Sequence, residues 1–177
     1  SNGTNSADVD HWVEIDLGED MNFNRVHLYP RSDVFTADGK TPSFPKDFSV
    51  EICKDGESKY TAIADFTDYQ APFGKPAVLK WEEGVTARKV RIRVSKVGNP
   101  PAGEINYFQL AEMGIYNQAG LETQELENAV EQAVGLKGSE SDYTSSSWKV
   151  FSRALKNAEK ALYNANLTQK EIDTATD

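Results

Sequence analysis

Three long irregular segments of the sequence contain most of the side chains that could bind a ligand. They span residues 31–45, 67–76 and 97–107, and they combine aromatic rings with amide or charged groups. A sugar ring has apolar C–H faces and many hydroxyls, so this combination suits carbohydrate recognition. The candidate carbohydrate contacts are Arg31, Asp33, Tyr69, Phe73, Asn99, Glu104, Asn106 and Tyr107.

Several aromatic and polar residues have a structural interpretation as well. Arg31 is equally expected as a framework cation that pairs with a nearby carboxylate, and Asn99 and Asn106 can instead cap turns. Phe73 stands between a proline and a glycine, which favours an exposed ring. The aromatic residues expected to be structural are Phe44, Trp12 and Trp81 at strand ends and Trp148 in a helical seam.

No catalytic constellation is present in the sequence. His11 and His27 lie on or beside predicted strands, with no partner at an established catalytic spacing. Phosphate-binding glycine loops, H-E-x-x-H and C-x-x-C motifs are absent. The 28 acidic residues supply carboxylate pairs by chance, so their spacing does not indicate a glycosidase. We therefore predict that this chain is not itself an enzyme.

Composition excludes several other classes of function. The net charge of -9 disfavours nucleic acids and anionic membranes, because basic patches supply most of the affinity for both. No apolar run is long enough to cross a bilayer, and no basic-plus-apolar leader begins at Ser1, so any export signal is expected outside these residues. The single cysteine, Cys53, excludes an internal disulfide and is expected on an outer strand face.

The first two thirds of the sequence alternate between apolar and polar residues. Residues 12–17 and 23–29 show this period of two, which predicts half-buried strands with Val13, Ile15 and Leu17 inward. A polar turn is predicted at residues 18–22. Further strands are predicted at residues 48–54, 60–65, 77–81, 89–95 and 107–116. Many short strands separated by turns indicate an all-β sandwich over about residues 11–117.

A change in composition at residues 117–120 predicts a second domain. β-Branched and aromatic residues give way to Ala, Glu, Leu and Lys, which gives domains at 1–117 and 118–177. Apolar residues at helical spacing predict a helix to about residue 136 and a second one with its seam from Trp148 to Leu162. The capping-box pattern from Thr168 to Glu171 predicts the start of a third helix. The second domain is therefore expected to be a small helical bundle.

Five motifs in order carry a resemblance to a known family. W-V-E-I-D-L-G at residues 12–18 is followed by R-V-x-L-Y-P-R at 25–31, and then by residues 44–52, 87–92 and 107–116. Together they resemble the discoidin domain of the coagulation-factor C-terminal type, whose bacterial relatives are the family 32 carbohydrate-binding modules. The resemblance implies a jelly-roll β-sandwich of the galactose-binding-domain-like type. It also implies that the domain is N-terminally incomplete here, with its first strands outside these residues or supplied by another segment.

The helical segment resembles a second family. Residues 143–148, 154–158 and 167–169 are similar to the FIVAR repeat, a three-helix module of large Gram-positive surface and secreted proteins. The resemblance implies a FIVAR-like module over 118–177 that is truncated at its C-terminus. It also implies a bacterial protein, Gram-positive in origin, that is secreted or attached to the cell surface.

The first resemblance also implies a calcium site. Relatives of this fold commonly hold one structural calcium between an N-terminal loop and an acidic residue of the last strand. Glu112 matches that residue, with the Ala111 carbonyl beside it, and oxygen ligands suit calcium. The other ligands would precede residue 1, so the site is expected to be incomplete. The alternative is that Glu112 is a solvated strand residue.

Two functions follow from the resemblances. The first is a non-catalytic carbohydrate-binding module of a larger secreted or surface-attached bacterial glycoside hydrolase. It would bind terminal galactose or N-acetylhexosamine on glycans, with the helices as a spacer and the other domains of the parent enzyme as neighbours. The second is a structural or protein-interaction module of an adhesin-type surface protein.

Overall fold

Alternating apolar residues among the described residues of the first part of the chain form five antiparallel strands. The computed structural model of the chain describes residues 7–31, 33, 41–72, 75–101, 103–164 and 166–176. The strands are β1 (Asp8–Tyr29), β2 (Pro45–Cys53), β3 (Thr61–Phe66), β4 (Ala77–Val97) and β5 (Glu112–Tyr116). Their order in the sheet is β3-β2-β4-β1-β5, and every neighbouring pair is antiparallel.

The two long strands, β1 and β4, belong to both layers of a β-sandwich. Residues 8–16 of β1 pair with 89–96 of β4, and residues 21–28 pair with 77–87. The register shifts between Asp16 and Met21 and between Phe23 and Arg25. Such bulges bend strands and let one strand pass from one sheet to the other. β2 and β3 extend the first layer beside β4, and β5 extends the second beside β1. The mainly β prediction is confirmed.

One hydrophobic core joins the two layers. Its members are buried side chains from both halves of the long strands, from β2 and from the segment before β2. Each large apolar side chain buried in this way contributes about 1.5–3 kcal/mol relative to exposure. The core residues are Phe23, Val26, Leu28, Phe44, Phe48, Val50, Ala77, Leu79, Ala87, Val90, Ile92, Val94 and Val97. Phe44 is therefore structural, as the sequence predicted.

Three predicted element boundaries are wrong. The strands predicted at 77–81 and 89–95 are one continuous strand, β4, because pairing with β1 continues through residues 85–87. Residues 18–22 are part of a continuous β1 rather than a turn, because a bulge accommodates them while pairing with β4 continues. These residues are polar because they are exposed. Gly18 has a φ of 88°, a left-handed backbone conformation that glycine adopts without strain. The last strand begins at Glu112 rather than at residue 107, since the preceding residues make only an isolated bridge at Asn106.

Trp12 and Cys53 also differ from their predicted environments. Trp12 is 56% exposed because it lies on the outward face of β1, opposite to Val13, and the Arg91 guanidinium lies 4.4 Å from its ring centre. Cys53 is only 2% exposed, although an outer face was predicted. The turn after β2 brings the Glu57 carbonyl to 3.3 Å from its Sγ, and this covers the thiol.

A tyrosine covers a buried histidine on the outer side of the second layer. His27 is fully buried, and its ring centre lies 4.6 Å from that of Tyr116. A Cβ on Gly114, the β5 partner of His27, would overlap the Tyr116 hydroxyl. Glycine at position 114 therefore allows the tyrosine ring to lie across the strand and close over His27.

The second unit, Gln118–Asp177, contains three helices. They are α1 (Gln124–Gly135), α2 (Ser145–Leu162) and α3 (Gln169–Thr176), with a 3₁₀ turn at Glu140–Asp142. Thr168 Oγ1 accepts the Glu171 N–H at 3.3 Å and Glu171 Oε2 accepts the Thr168 N–H at 2.9 Å, which confirms the capping box. None of the described helices is long and apolar enough to span a bilayer.

The predicted seam of α2 is confirmed except at Trp148, because Leu155 and Ala158 belong to the helical core and Phe151 and Leu162 pack against it. The buried core residues are Leu126, Val130, Leu155, Ala158, Leu167 and Ile172. Trp148 lies outside this cluster, at the first turn of α2. Its ring instead stacks between Tyr143 at 5.7 Å and Phe151 at 5.1 Å, and this local aromatic stack replaces contact with the other helices.

Replacing Gly114 with alanine should destabilise the first unit by about 1–3 kcal/mol, because the new methyl group displaces Tyr116 from His27. Urea unfolding followed by tryptophan fluorescence measures the change. Gly84→Ala is the matched control, since the atoms nearest its Cβ belong to the end of the exposed Asn22 side chain rather than to a ring that covers a buried group. Equal losses from the two substitutions would contradict this role of Gly114.

Acidification should destabilise the first unit through His27. Burial, with a smaller contribution from the Arg25 charge, lowers the pKa of His27 to about 4. The unfolded chain therefore binds more protons between pH 6.5 and 4, so the contribution of neutral His27 is present above that range and lost as pH falls through it. We expect a loss of about 1 kcal/mol between pH 7.5 and 5.5. His27→Phe should remove most of this loss, and an unchanged pH profile in that variant would refute the assignment.

Candidate functional site

Backbone hydrogen bonds hold the loop segments together at one end of the sandwich. The Ser43 N–H donates to the Asn99 carbonyl at 2.9 Å, and the Gly98 N–H donates to the Phe44 carbonyl at 2.8 Å. The Tyr69 N–H donates to the Lys46 carbonyl, also at 2.8 Å. The described parts of all three predicted loop segments are therefore neighbours.

A small cavity of about 190 Å³ lies among these segments. Phe44 and Tyr69 provide its aromatic surface, and Gln70 and Asn99 provide amides. Its cationic side chains are Lys46 and Lys96. The remaining described lining residues are Ala7, Thr41, Pro45, Ala71, Val97 and Gly98.

The Tyr69 ring is fixed by three phenylalanine side chains. It stacks with Phe44 at 6.4 Å between ring centres, and it contacts Phe48 and Phe66 edge-to-face at 5.4 and 5.6 Å. Partial burial raises the pKa of the Tyr69 hydroxyl. A ring that is held by its neighbours and lines a cavity can act as a rigid plate for an apolar sugar face.

Two buried hydroxyls beside the cavity have no hydrogen-bond partner among the described residues. Thr41 is 9% exposed and lines the cavity, and Ser43 is fully buried. Ser43 also has φ of 56°, a left-handed backbone conformation that is unfavourable for a residue other than glycine. Unsatisfied groups and local strain concentrate at functional sites, and Thr41 and Ser43 place both features next to the cavity.

A salt bridge borders the cavity. Lys46 Nζ lies 2.7 Å from Asp68 Oδ1, and this contact raises the pKa of Lys46 and lowers the pKa of Asp68. The Asp68 carbonyl also accepts a hydrogen bond from Gln70 Nε2 at 2.8 Å. These contacts fix the second loop segment against the start of β2.

A second polar group forms around Arg31. Its Nε and Nη2 donate to the Asp33 carboxylate at 2.8 Å each, and its Nη1 donates to Gln109 Oε1 at 2.9 Å. The Arg31 guanidinium lowers the pKa of Asp33 to about 2, and Asp33 raises the pKa of Arg31. The Tyr107 hydroxyl donates to Glu104, which raises the pKa of Tyr107. All three guanidinium nitrogens are engaged, which favours the framework interpretation of Arg31.

Most of the residues predicted to contact carbohydrate are therefore divided between the cavity and the group around Arg31. Tyr69 and Asn99 line the cavity. Asn106 is half-buried in an isolated β-bridge and does not line it, and Phe73 lies outside the described residues. The residues that group around Arg31 instead are Asp33, Glu104 and Tyr107.

Sequence reasoning missed the two lysines and Thr41. Lys46 and Lys96 lie in strands, near the start of β2 and the end of β4, where charged residues ordinarily face solvent. The sequence feature that could have indicated the two lysines is their position at predicted strand ends, next to two of the candidate loops. Thr41 carried no signal, because its burial depends on contacts distant in sequence.

The described residues provide only two groups of the predicted calcium site, the Glu112 carboxylate and the Ala111 carbonyl. Glu112 is exposed at the first residue of β5, and the neighbouring Ala111 N–H donates to the Tyr29 carbonyl at 2.8 Å. Among the described residues, no group of three or more His, Cys, Asp or Glu side chains is placed to hold a metal ion. A carboxylate and a carbonyl fit calcium in kind, but calcium takes about 6–8 oxygen ligands.

A β-sandwich that holds a small aromatic and amide cavity among its end loops has the architecture of a ligand-binding module. The sequence profile of the NedA-like, galactose-binding domain, of the F5/F8 type C group, matches residues 2–92. The chain belongs to this family. The profile of the FIVAR domain matches residues 122–177. Both resemblances seen in the sequence are confirmed.

Solved structures that are similar to this chain include carbohydrate-binding modules. The family 32 module of Streptococcus pneumoniae EndoD has a TM-score of 0.50 and 16% identity, over 64% of this chain and 73% of that chain. The family 32 module of C. perfringens NanJ, solved in complex with galactose, has a TM-score of 0.46 and 14% identity, over 63% and 69%. Chitosan-binding module 1 of a Paenibacillus sp. IK-5 chitosanase/glucanase has a TM-score of 0.46 and 15% identity, over 65% and 74%. A comparison with curated proteins found no match.

Proposed function

We propose that the first unit is a non-catalytic glycan-binding module whose ligand is a terminal sugar residue in the loop cavity. The observation that carries this proposal is the fixed Tyr69 ring facing a cavity that also has amide and hydroxyl groups. The family match supports the same function. Such a site combines an apolar plate with several hydrogen-bonding groups, which is the chemistry that a sugar requires.

The cavity size favours a single sugar ring. Its volume of about 190 Å³ is below the roughly 300–1,000 Å³ of pockets that enclose drug-sized ligands. A terminal galactose or N-acetylhexosamine is therefore the proposed ligand rather than an internal stretch of polysaccharide. One stacked ring and a few solvent-competed hydrogen bonds predict weak affinity, with a Kd on the order of 0.1–1 mM.

The wider context is a larger protein. We propose that the module is an ancillary part of a secreted or surface-attached bacterial glycoside hydrolase, which it would hold near its carbohydrate. The FIVAR match supports a Gram-positive surface or secreted protein, with the helical unit as a spacer. The other domains of that parent protein are then its covalent neighbours.

A protein-interaction role is the second candidate. The observation in its favour is the aromatic stack of the helical unit, in which Tyr143 is 48% exposed and Trp148 lies outside the helical core. Exposed aromatic residues are enriched in protein interfaces. Binding of a partner protein through this stack would not require the loop cavity, so the two functions can be separated by mutation.

Asn99→Ala should weaken galactose binding by about 1–2 kcal/mol, because it removes an amide at the cavity without touching the core. The Asn99 side chain is exposed, and its backbone carbonyl bond to Ser43 is kept. Titration calorimetry with a high sugar concentration measures the change. Asn22→Ala is the matched control, since Asn22 lies at the bulge of β1, remote from the loops.

Arg31→Gln separates the two interpretations of the second polar group. As a framework cation, Arg31 should contribute modestly to stability and little to sugar affinity, so Arg31→Gln should lower stability while it leaves the affinity unchanged. Loss of affinity with unchanged stability would instead make it a ligand contact. Wild-type affinity in Asn99→Ala, combined with loss in Arg31→Gln, would move the site from the cavity to the Arg31 group.

We also propose a structural calcium ion with Glu112 and the Ala111 carbonyl among its ligands. Its support is the oxygen chemistry of these two groups, and its other ligands would come from outside the described residues. In the full domain, with the N-terminal strands that supply those other ligands, calcium should raise the melting temperature by preferential binding to the folded state, and Glu112→Gln should lose most of that increase. The control is Glu83→Gln, an exposed residue of β4. Equal responses of wild type and Glu112→Gln would remove Glu112 from the site.

A further inference from the structure

Two lysines line the cavity of an otherwise acidic protein, and Asp68 pairs with one of them at the cavity's border. The described lining of the cavity includes Lys46 and Lys96 but no aspartate or glutamate, whereas the chain carries a net charge of -9. An acidic protein repels anions in general. A local pair of lysines in a concave site is therefore a specific feature of the binding surface.

The two lysines differ in how their charges are balanced. Lys46 forms the 2.7 Å salt bridge with Asp68, so its charge is already compensated. Lys96, at the end of β4, makes no ion pair among the described residues. Its charge does lower the pKa of the nearby Asp68. Lys96 has Asp8 and Asp47 as its cross-strand neighbours, but it forms no salt bridge among the described residues, so it is the lysine of the cavity that can pair with a ligand anion.

Thr41 provides an independent indication that a polar ligand enters the cavity. Its Oγ1 is buried without a partner among the described residues, and this is unfavourable unless something else supplies a hydrogen bond. Thr41 lines the same cavity as Lys96. A ligand with a hydroxyl beside an anionic group could satisfy both side chains at once.

We propose that the preferred ligand is an anionic hexose whose carboxylate or sulfate group binds Lys96, with the sugar ring against Tyr69. The inference rests on the proposed glycan-binding function and specifies the class of sugar. It assigns Thr41 and Asn99 to the ring hydroxyls. The neutral hexose should still bind, but without the charged contact.

A pair of sugars that differ at one carbon tests the charge directly. Galacturonate differs from galactose only in its C6 carboxylate, and galactose 6-sulfate separates sulfate from carboxylate recognition. A charged hydrogen bond is roughly twice as strong as a neutral one, so the preferred anionic sugar should bind about tenfold more tightly than galactose. Acetate carries the charge without the ring and should not bind measurably.

Titration calorimetry and amide NMR on the 177-residue protein are the measurements. They are made at about 20 mM and about 500 mM sodium chloride, because salt screens the lysine contact but not ring stacking. The preference for the anionic sugar should be largest at low salt. The affinity for galactose should change little between the two conditions.

Three variants identify the cation. Lys96→Gln should reduce the preference, measured as the ratio of anionic-sugar to galactose affinity in the same variant, to about twofold or less. Lys54→Gln makes the same charge change at an exposed position after β2, far along that strand from the cavity, and should retain the preference. Asp68→Asn releases Lys46 and removes a repelling carboxylate, so it should tighten anionic-sugar binding. Asparagine tolerates the left-handed backbone at this position, where φ is 51°.

The outcomes separate this inference from the proposed function. Equal binding of galactose and both anionic sugars by the wild type would overturn the inference and leave glycan binding intact. An unchanged preference in Lys96→Gln would overturn it as well. No binding of any sugar would overturn both the inference and the proposed function.

Discussion

The pairing of β1 with β4 is the constraint on which the first unit depends. These two strands remain hydrogen-bonded to each other on both sides of the bulge at Asp16 to Met21, so each strand contributes to both layers. The alternation of side chains then places Val90, Ile92 and Val94 opposite Val26 and Leu28 in one shared core. Without the bend, the same alternation would give a single flat sheet with one apolar face exposed to water.

The location of the cavity follows from this pairing. Pro45 at the start of β2 is opposite Val97 at the end of β4, so the segments before β2 and after β4 must meet. The chain after β3 returns to the same end, where the Tyr69 N–H reaches Lys46. The site is therefore made of loops, but strand register determines which loops meet and how closely. A module of this type can vary its ligand through loop residues while the sandwich stays the same.

The sequence allowed prediction of those features that depend on local patterns. Period-two alternation placed the inward residues of β2 and β4, and the Thr168–Glu171 pattern placed the start of α3. The alternation could not show that residues 18–22 continue a strand, because a bulge with polar residues has the composition of a turn. Loop composition indicated Tyr69 and Asn99. It could not separate the cavity from the Arg31 group, because that division depends on contacts such as Arg31 with Gln109, 78 residues apart.

The crystal structure of the protein with galactose or galacturonate bound is the most direct test of the central claim. The account predicts one sugar ring against Tyr69, within hydrogen-bond distance of Asn99 and Thr41, with a carboxylate at Lys96 when galacturonate is used. A sugar bound instead at the Arg31 group, or on the outer sheet face beside Trp12, would contradict it.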